Sequence, residues 1–535
     1  MYSLGPTHFL TCVSYVVGSS RGLAPTAIQL EWPGMSILCD AEVVVIGGGV
    51  IGSATAYSLA CRGVSTILIE QYELGAHGRG SSGGESRIIR PTYVEPHLAA
   101  LMPEAFASWR KLETEARAHG LLVDTEPLLR TTGGLDFGAA GTGGAMEAVL
   151  RSIAAQDTPH ELVALAEVAR RFAPLAPPLE GVALTSADHS LLRYEAVYSE
   201  QSGVLAASRC VATLQALAER RGAQLRAHTR VERVERTDSG VVVHSSSGVF
   251  RSRSVVMALG GWATTTGRAV PLVSPRPVVP LPLVPIEVTV AYWRIFDAGA
   301  AQAERLQNLP IFIVYGEPFD VYGLPSRARP GCLKVCWHGG TRLDTKQLDG
   351  RAASMPGPAS SSSPLHASDA NLHPRTAVLD LERVVAPFLA AFMRAPPEAG
   401  KDRLTADEWM QRLEHTETCV YTMTPDEDFI LDVDGAIVRG AGFSGHGFKM
   451  APVMGRMLAD LALQSLPNSH SARAAVDFEA LQASVRPFSV RRSSLAPYLP
   501  RGFSNMHGGL SSAAPQAVPF TGSWEARSNA TLAHL

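Results

Sequence analysis

An α/β fold organised around a dinucleotide-binding unit is what the sequence predicts, and three observations predict it. A glycine-rich turn, Gly47-Gly48-Gly49-Val50-Ile51-Gly52, lies between an apolar β-branched run (43–46) and a helix-like stretch of small residues. An acid, Glu70, ends the next apolar run at the spacing, about 20 residues, at which a dinucleotide ribose is read. Further on, residues 231–263 read as a strand, a hairpin and a strand running into Gly260-Gly261-Trp262.

Taken in order, each part has a physical reason. Gly47 permits the tight turn after the strand, and Gly49 lets the backbone approach a pyrophosphate at the helix N-terminus. Gly52 lets helix and strand pack closely, and Glu70 accepts from a ribose hydroxyl. A carboxylate there disfavours a 2′-phosphate, so the cofactor is FAD or NAD rather than NADP. GSSGGESRIIRPTY (80–93) then sets Arg87 and Arg90 three residues apart, and TGGLDFG (132–138) reads as a strand. Val231, heading the strand of 231–263, joins the cofactor-binding residues. Prolines over 271–285 lead into IEVTVAYWRIFD, a strand carrying Tyr292 and Trp293. LKVCWH alternates as a buried strand, an unusual place for a surface lysine at Lys334. A strand at 436–440 and a helix that includes 450–463 flank the FSGHGF turn.

Composition narrows the function class. The chain has 535 residues, 47 Lys+Arg against 50 Asp+Glu and a net charge of −3, which argues against nucleic acid as a partner. Seven scattered cysteines form neither a disulfide framework nor a zinc site, so no metal and an intracellular, reduced setting are expected. No run reaches the roughly 18 apolar residues of a membrane span, the apolar stretch at 269–292 being broken by prolines. Only five basic residues are lysine: Lys111, Lys334, Lys346, Lys401 and Lys449. Where any positive charge would serve, the chain mostly uses arginine, so each lysine carries more information than usual.

The ends and one internal stretch read differently. Residues 1–37 are expected to be a disordered extension, since the start lacks the basic residues of a signal or transit peptide. Residues 345–375 are low-complexity and read as a surface loop. The stretch 491–535 reads as a flexible tail, and its last residues, Ala533-His534-Leu535, resemble a peroxisomal address.

Four further stretches carry a resemblance: VYGLPSRARPGCLKVCWH (321–338), CVYTMTPDEDFILD (419–432), GAGFSGHGFKMAP (440–452) and SRIIR. Together they resemble the monomeric sarcosine oxidase family, nearest to its peroxisomal sarcosine oxidase and L-pipecolate oxidase branch, over roughly residues 41–490. The resemblance implies a D-amino-acid-oxidase-like fold in which a Rossmann-like FAD domain is interleaved with an antiparallel-sheet substrate domain. On it, 38–128, 188–265 and 425–490 form the FAD domain, and 129–187 with 266–424 the substrate domain.

The same resemblance implies roles. Cys419 would form a thioether to the flavin, making the FAD covalent. Lys334 would serve oxygen reduction near the flavin, Arg87 would lie against the ring, and His338 and Tyr322 would line the reacting cavity. Arg90 and Lys449 would hold the substrate carboxylate, with Tyr421 in the same wall. Gly445 and His446, in the FSGHGF turn, would contact the flavin, and the helix after them would direct its N-terminus at the pyrimidine end. The implied activity is oxidation of a secondary α-amino acid to an imine with O2 reduced to H2O2. The alternatives are a fructosyl-amino-acid oxidase or a related FAD amino-acid dehydrogenase. A monomer, a small-molecule substrate and a peroxisomal import receptor are the expected partners and state. One departure stands out. Ser82 and Gly83 replace a histidine pair, and Glu85-Ser86 an acid-threonine step, of the bacterial pattern. A bulkier imino acid such as pipecolate thereby becomes as plausible as sarcosine.

Overall fold

Val43, Val44, Val45 and Ile46 are each 4% exposed or less. A strand so buried on both faces needs neighbours and covering layers, as the β-branched run requires. In the computed structural model this strand, β1 (Ile37–Ile46), leads through the glycine turn into α1 (Val50–Ala60) and returns as β2 (Thr66–Ile69), parallel to β1. The structure describes residues 37–495 apart from 76, 140–143, 179–193, 264–269, 276, 298–300, 317–319, 344–379, 465 and 467–475. The expected extension before Ile37, the 345–375 loop and the tail beyond Leu495 therefore lie outside the described residues.

The first sheet runs in the order Leu272–Val273, Val231–Thr237, Gly240–Ser245, Gly248–Met257, β1, β2, Gln224–Arg226. Ile437–Ala441 pairs in parallel with the end of Gly248–Met257, and Ile430–Asp434 pairs antiparallel to it. One apolar layer, including Val43, Val45 and Leu68, packs under α1, Met102–Ala118, Ala207–Arg220 and Ala451–Gln464. Val44, Ile46, Ile67 and Ile69 point to the other side, the period-2 alternation of a doubly covered sheet. α1 and Ala451–Gln464 cross closely: a methyl added to Gly455 would lie 2.6 Å from Ala54.

The second sheet is ordered Thr341–Arg342, Val284–Arg294, Cys332–Trp337, Val321–Pro325, Ile311–Val314, Gly134–Ala139, Tyr194–Ser199, Glu161–Val163, with Leu413–Met423 paired to Val284–Arg294. Its two faces differ in kind. Trp293, Leu333, Val335 and Trp337 pack into a core with Phe388 and Phe392. Tyr292, Cys336, Cys419 and Tyr421 lie on the other face. A short sheet of Ser86–Ile89, Gly203–Ala206 and Leu129–Thr131 carries Arg87.

Several expected boundaries move. Tyr194–Ser199 pairs with Gly134–Ala139 in the second sheet, although 188–265 was assigned to the FAD domain. Leu272–Val273, assigned to the substrate domain, extends the first sheet. Residues 491–495, expected to be free, are packed: Arg492 grips Asp426 with Nε and Nη2 at 2.6 Å each, and Leu495 is fully buried. The apolar side chains of Val490 and Leu495 close over Leu281 and Leu283, burial that sequence periodicity over so short a stretch does not announce. Among the described residues no helix is long and apolar enough to cross a membrane, and no acidic, histidine or cysteine cluster could hold a metal.

Candidate active site

The glycine turn is shaped for close backbone approach. Gly47 has φ +105°, and a Cβ there would sit 2.3 Å from the Ala258 carbonyl oxygen. A Cβ on Gly52 would be 1.9 Å from the Gly47 oxygen, so Gly52 does not line the groove but lets α1 start against β1. Glu70, 6% exposed, accepts from the N–H groups of Gly48 at 2.7 Å and Tyr72 at 2.9 Å. Burial opposes its charge, but the His77 imidazole and those two N–H groups outweigh it and hold the carboxyl below the usual range. Ser82 Oγ accepts from Val50 N–H at 3.0 Å, tying the 80–93 loop to the first turn of α1.

Above this turn lies a groove of about 690 Å³ lined by Gly47, Gly49, Glu70, Val231, Trp262 and Phe443. A second cavity of about 770 Å³ opens between the second sheet and the helix-proximal loops. Arg87, Tyr421, Gly445 and Phe448 line both, so the two adjoin. Gly445 is required there: at φ +80°, a Cβ would strike the Tyr421 ring at 2.4 Å and His338 at 2.9 Å.

Strand register explains how residues far apart in sequence share the second cavity. In antiparallel pairs, directly opposed residues project to one face. Tyr292 opposes both Lys334 and His415, Val290 opposes Glu417, and Val288 opposes Cys419. Ile286 opposes Tyr421, and Tyr322 opposes Cys336. One face thus carries Lys334, Cys419, Tyr421 and Tyr322, with His338 just past the strand end on the same cavity.

Four cations converge. Arg87 donates through Nη2 to the carbonyls of Ser81 and Gly83 at 2.7 Å each, with its guanidinium 5.6 Å from the Phe448 ring centre. Cys419 Sγ lies 4.0 Å from the same Ser81 carbonyl. Lys334, 3% exposed, donates to the Ser86 carbonyl at 3.1 Å; burial and then Arg87 lower its pKa. Lys449, 6% exposed, donates to the Tyr93 hydroxyl at 2.8 Å and the His446 carbonyl at 2.9 Å. Burial and then Arg90 push the Lys449 ammonium well below the usual lysine value. His446 is kept neutral by burial and then by the neighbouring Lys449, and its Nε2 meets the Glu427 carbonyl at 3.0 Å. Tyr322 and Tyr421 hydroxyls are 3.2 Å apart.

Every sequence-derived site residue except Gly52 therefore lines one or both cavities. What sequence reasoning missed are their supports. Asp136, fully buried in Gly134–Ala139, lies 3.3 Å from Arg90 Nη1 and accepts from Thr92 at 2.7 Å and Tyr315 at 3.2 Å. Burial pushes its carboxyl up, with Arg90, Thr92 and Tyr315 opposing. An acid inside an apolar strand, LDF, was the available signal.

A glycine turn at a helix N-terminus, an acid at the ribose distance and an adjoining cavity walled by a second sheet define a two-sheet dinucleotide-dependent oxidoreductase. The chain belongs to the FAD dependent oxidoreductase family, which matches residues 42–461. It is 31% identical over 432 residues to a probable sarcosine oxidase of Arabidopsis thaliana, covering 79% of this chain and 88% of that one. It is 30% identical over 433 residues to the peroxisomal sarcosine oxidase of Homo sapiens, covering 80% and 93%. The fold is shared with NikD, an unusual amino acid oxidase essential for nikkomycin biosynthesis (TM-score 0.55, 22% identity, 82% of this chain and 97% of that one). FAD fits what is present: the glycine cradle admits a phosphate backbone, and Glu70, Phe443, Ser444 and Gly445 line the same groove.

Proposed function

We propose that this FAD-dependent oxidoreductase is an oxidase of secondary α-amino acids, sarcosine or L-pipecolate, yielding an imine and H2O2. The observation that carries the reading is the convergence of buried Arg90, Lys449 and Lys334 with Cys419 on one cavity that adjoins the glycine-turn groove. When bound, FAD accepts a hydride equivalent from the substrate carbon beside nitrogen and passes the electrons to oxygen.

The protein's own groups divide the remaining work. Arg90 and Lys449 take the substrate carboxylate, a fork and a point charge that together fix its orientation. Burial beside these cations disfavours a protonated amine, the form that must be lost before oxidation. Lys334, a dry ammonium, stabilises negative charge developing on dioxygen. Cys419 supplies the sulfur for a covalent link to the flavin. The second cavity, about 770 Å³, has room for a cyclic imino acid as well as for sarcosine. Peroxisomal placement is supported by the human and mouse relatives, each a peroxisomal sarcosine oxidase. A monomer is the proposed state, in keeping with the bacterial relatives named monomeric sarcosine oxidase.

Anaerobic addition of sarcosine, L-pipecolate and a fructosyl amino acid to the purified holoenzyme should bleach the flavin absorbance with one of the first two. Aeration should then restore it with release of peroxide. Bleaching by the fructosyl compound alone would move the assignment to a fructosyl-amino-acid oxidase. Bleaching without oxygen-dependent recovery would make the protein a dehydrogenase.

A further inference from the structure

Arg90 is tied down on one side only, and we propose that Asp136 is the positioning residue that holds it there and thereby sets recognition of the substrate carboxylate. The inference rests on the reading of Arg90 as carboxylate anchor and adds the residue on which that anchor depends.

Every hydrogen bond of the Arg90 guanidinium to a described residue leaves from Nη1. It goes to the Thr92 carbonyl, to Thr92 Oγ1 at 3.0 Å and to Asp136 Oδ1 at 3.3 Å. Nε is buried without a partner among the described residues, although the side chain lines the substrate cavity. Nη2 makes no hydrogen bond to a described residue and so remains for the substrate carboxylate.

The opposite side is fixed from three elements. Thr92 Oγ1 donates to Asp136 Oδ2 at 2.7 Å, and the Tyr315 hydroxyl donates to Asp136 Oδ1 at 3.2 Å. The rings of Tyr93 and Tyr315 lie 4.7 and 5.7 Å from the guanidinium carbon. Asp136 itself is fully buried on the Gly134–Ala139 strand, paired on both sides, so it cannot drift. Asp136 touches no substrate in this scheme; it acts through Arg90.

The test is calorimetric binding of two amine-free acids, propionate and cyclohexanecarboxylate, to the holoenzyme, with kinetics alongside. Asp136→Asn should raise the Kd of both acids, and the KM of the substrate, about tenfold, the loss of one charge-assisted hydrogen bond. kcat should stay within about threefold, a split that general loosening of the site would not produce. Tyr315→Phe, which keeps the ring, should shift the Kd in the same direction by about two- to threefold, and carries the test should Asp136→Asn fail to fold. Unchanged Kd in the folded variants overturns the proposal. Arg90→Gln separates the two levels: if it leaves acid binding intact, the carboxylate-anchor reading fails; if it abolishes binding while Asp136→Asn and Tyr315→Phe do nothing, only the role of Asp136 is lost.

Discussion

Lys449 places its ammonium between the Tyr93 hydroxyl and the His446 carbonyl, both neutral, with the guanidinium of Arg90 as its charged neighbour. The two hydrogen bonds and the Tyr93 ring, 5.2 Å away, favour the charged form, but burial and then Arg90 outweigh them, and the amine titrates well below the ordinary 10.5. The sign follows directly. At low pH Lys449 is charged and grips a carboxylate; as pH rises through its lowered value the charge and the grip are lost. The Kd for a simple carboxylate should therefore climb with pH starting well short of 10.5. Lys449→Met should bind more weakly throughout and flatten that limb. A Kd that stays level up to the ordinary lysine range would mean that Lys449 does not contact the acid. Lysines at 334 and 449 stood out in the sequence because arginine serves nearly everywhere else, and the family motifs gave them roles. The supports of Arg90 were not legible, since Asp136 and Tyr315 reach it from separate segments whose meeting depends on the tertiary fold.

The β1–α1–β2 unit shows how little freedom a short element can have. Gly52 stands where α1 turns over β1, and an added methyl would lie 1.9 Å from the Gly47 oxygen and 3.4 Å from Val45. The backbone must move, and Gly47, at φ +105° against Ala258, has no slack to give. Gly52→Ala should thus lower stability by about 1–3 kcal/mol and strip the protein of FAD, read by thermal melting and by the absorbance of the purified chain. Retention of a full flavin complement would show that the turn tolerates displacement. This unit was readable because its determinants are local: a β-branched run, a fixed glycine spacing and an acid at the next strand end. The pairing of Val284–Arg294 with Leu413–Met423 was not, because period-2 alternation shows which residues share a face but not which strand lies opposite.

At the scale of the whole molecule, the chain passes repeatedly between the two sheets. β1, Gly248–Met257 and Ile437–Ala441 belong to one, while Gly134–Ala139, Val284–Arg294 and Leu413–Met423 belong to the other. A cofactor gripped by both should stabilise them together. If Cys419 forms the proposed link, Cys419→Ala should release FAD on acid precipitation while the wild type does not. Its melting temperature should also rise with added FAD by mass action. Acid-extractable flavin from the wild type would remove the link. Sequence patterning separated the sheets in outline, but Tyr194–Ser199 crossed the expected boundary because its partner, Gly134–Ala139, lies about sixty positions earlier. The strand Leu413–Met423 adds a constraint of another sort. His415, Glu417, Cys419 and Tyr421 share a side only because they are two apart. Lengthening the strand by one codon ahead of Cys419 would, in an unchanged register, rotate sulfur and phenol outward at once. Over evolutionary time this ribbon can take an odd step only by adding a bulge, as it already has where Tyr292 faces His415 and Trp293 faces Leu413.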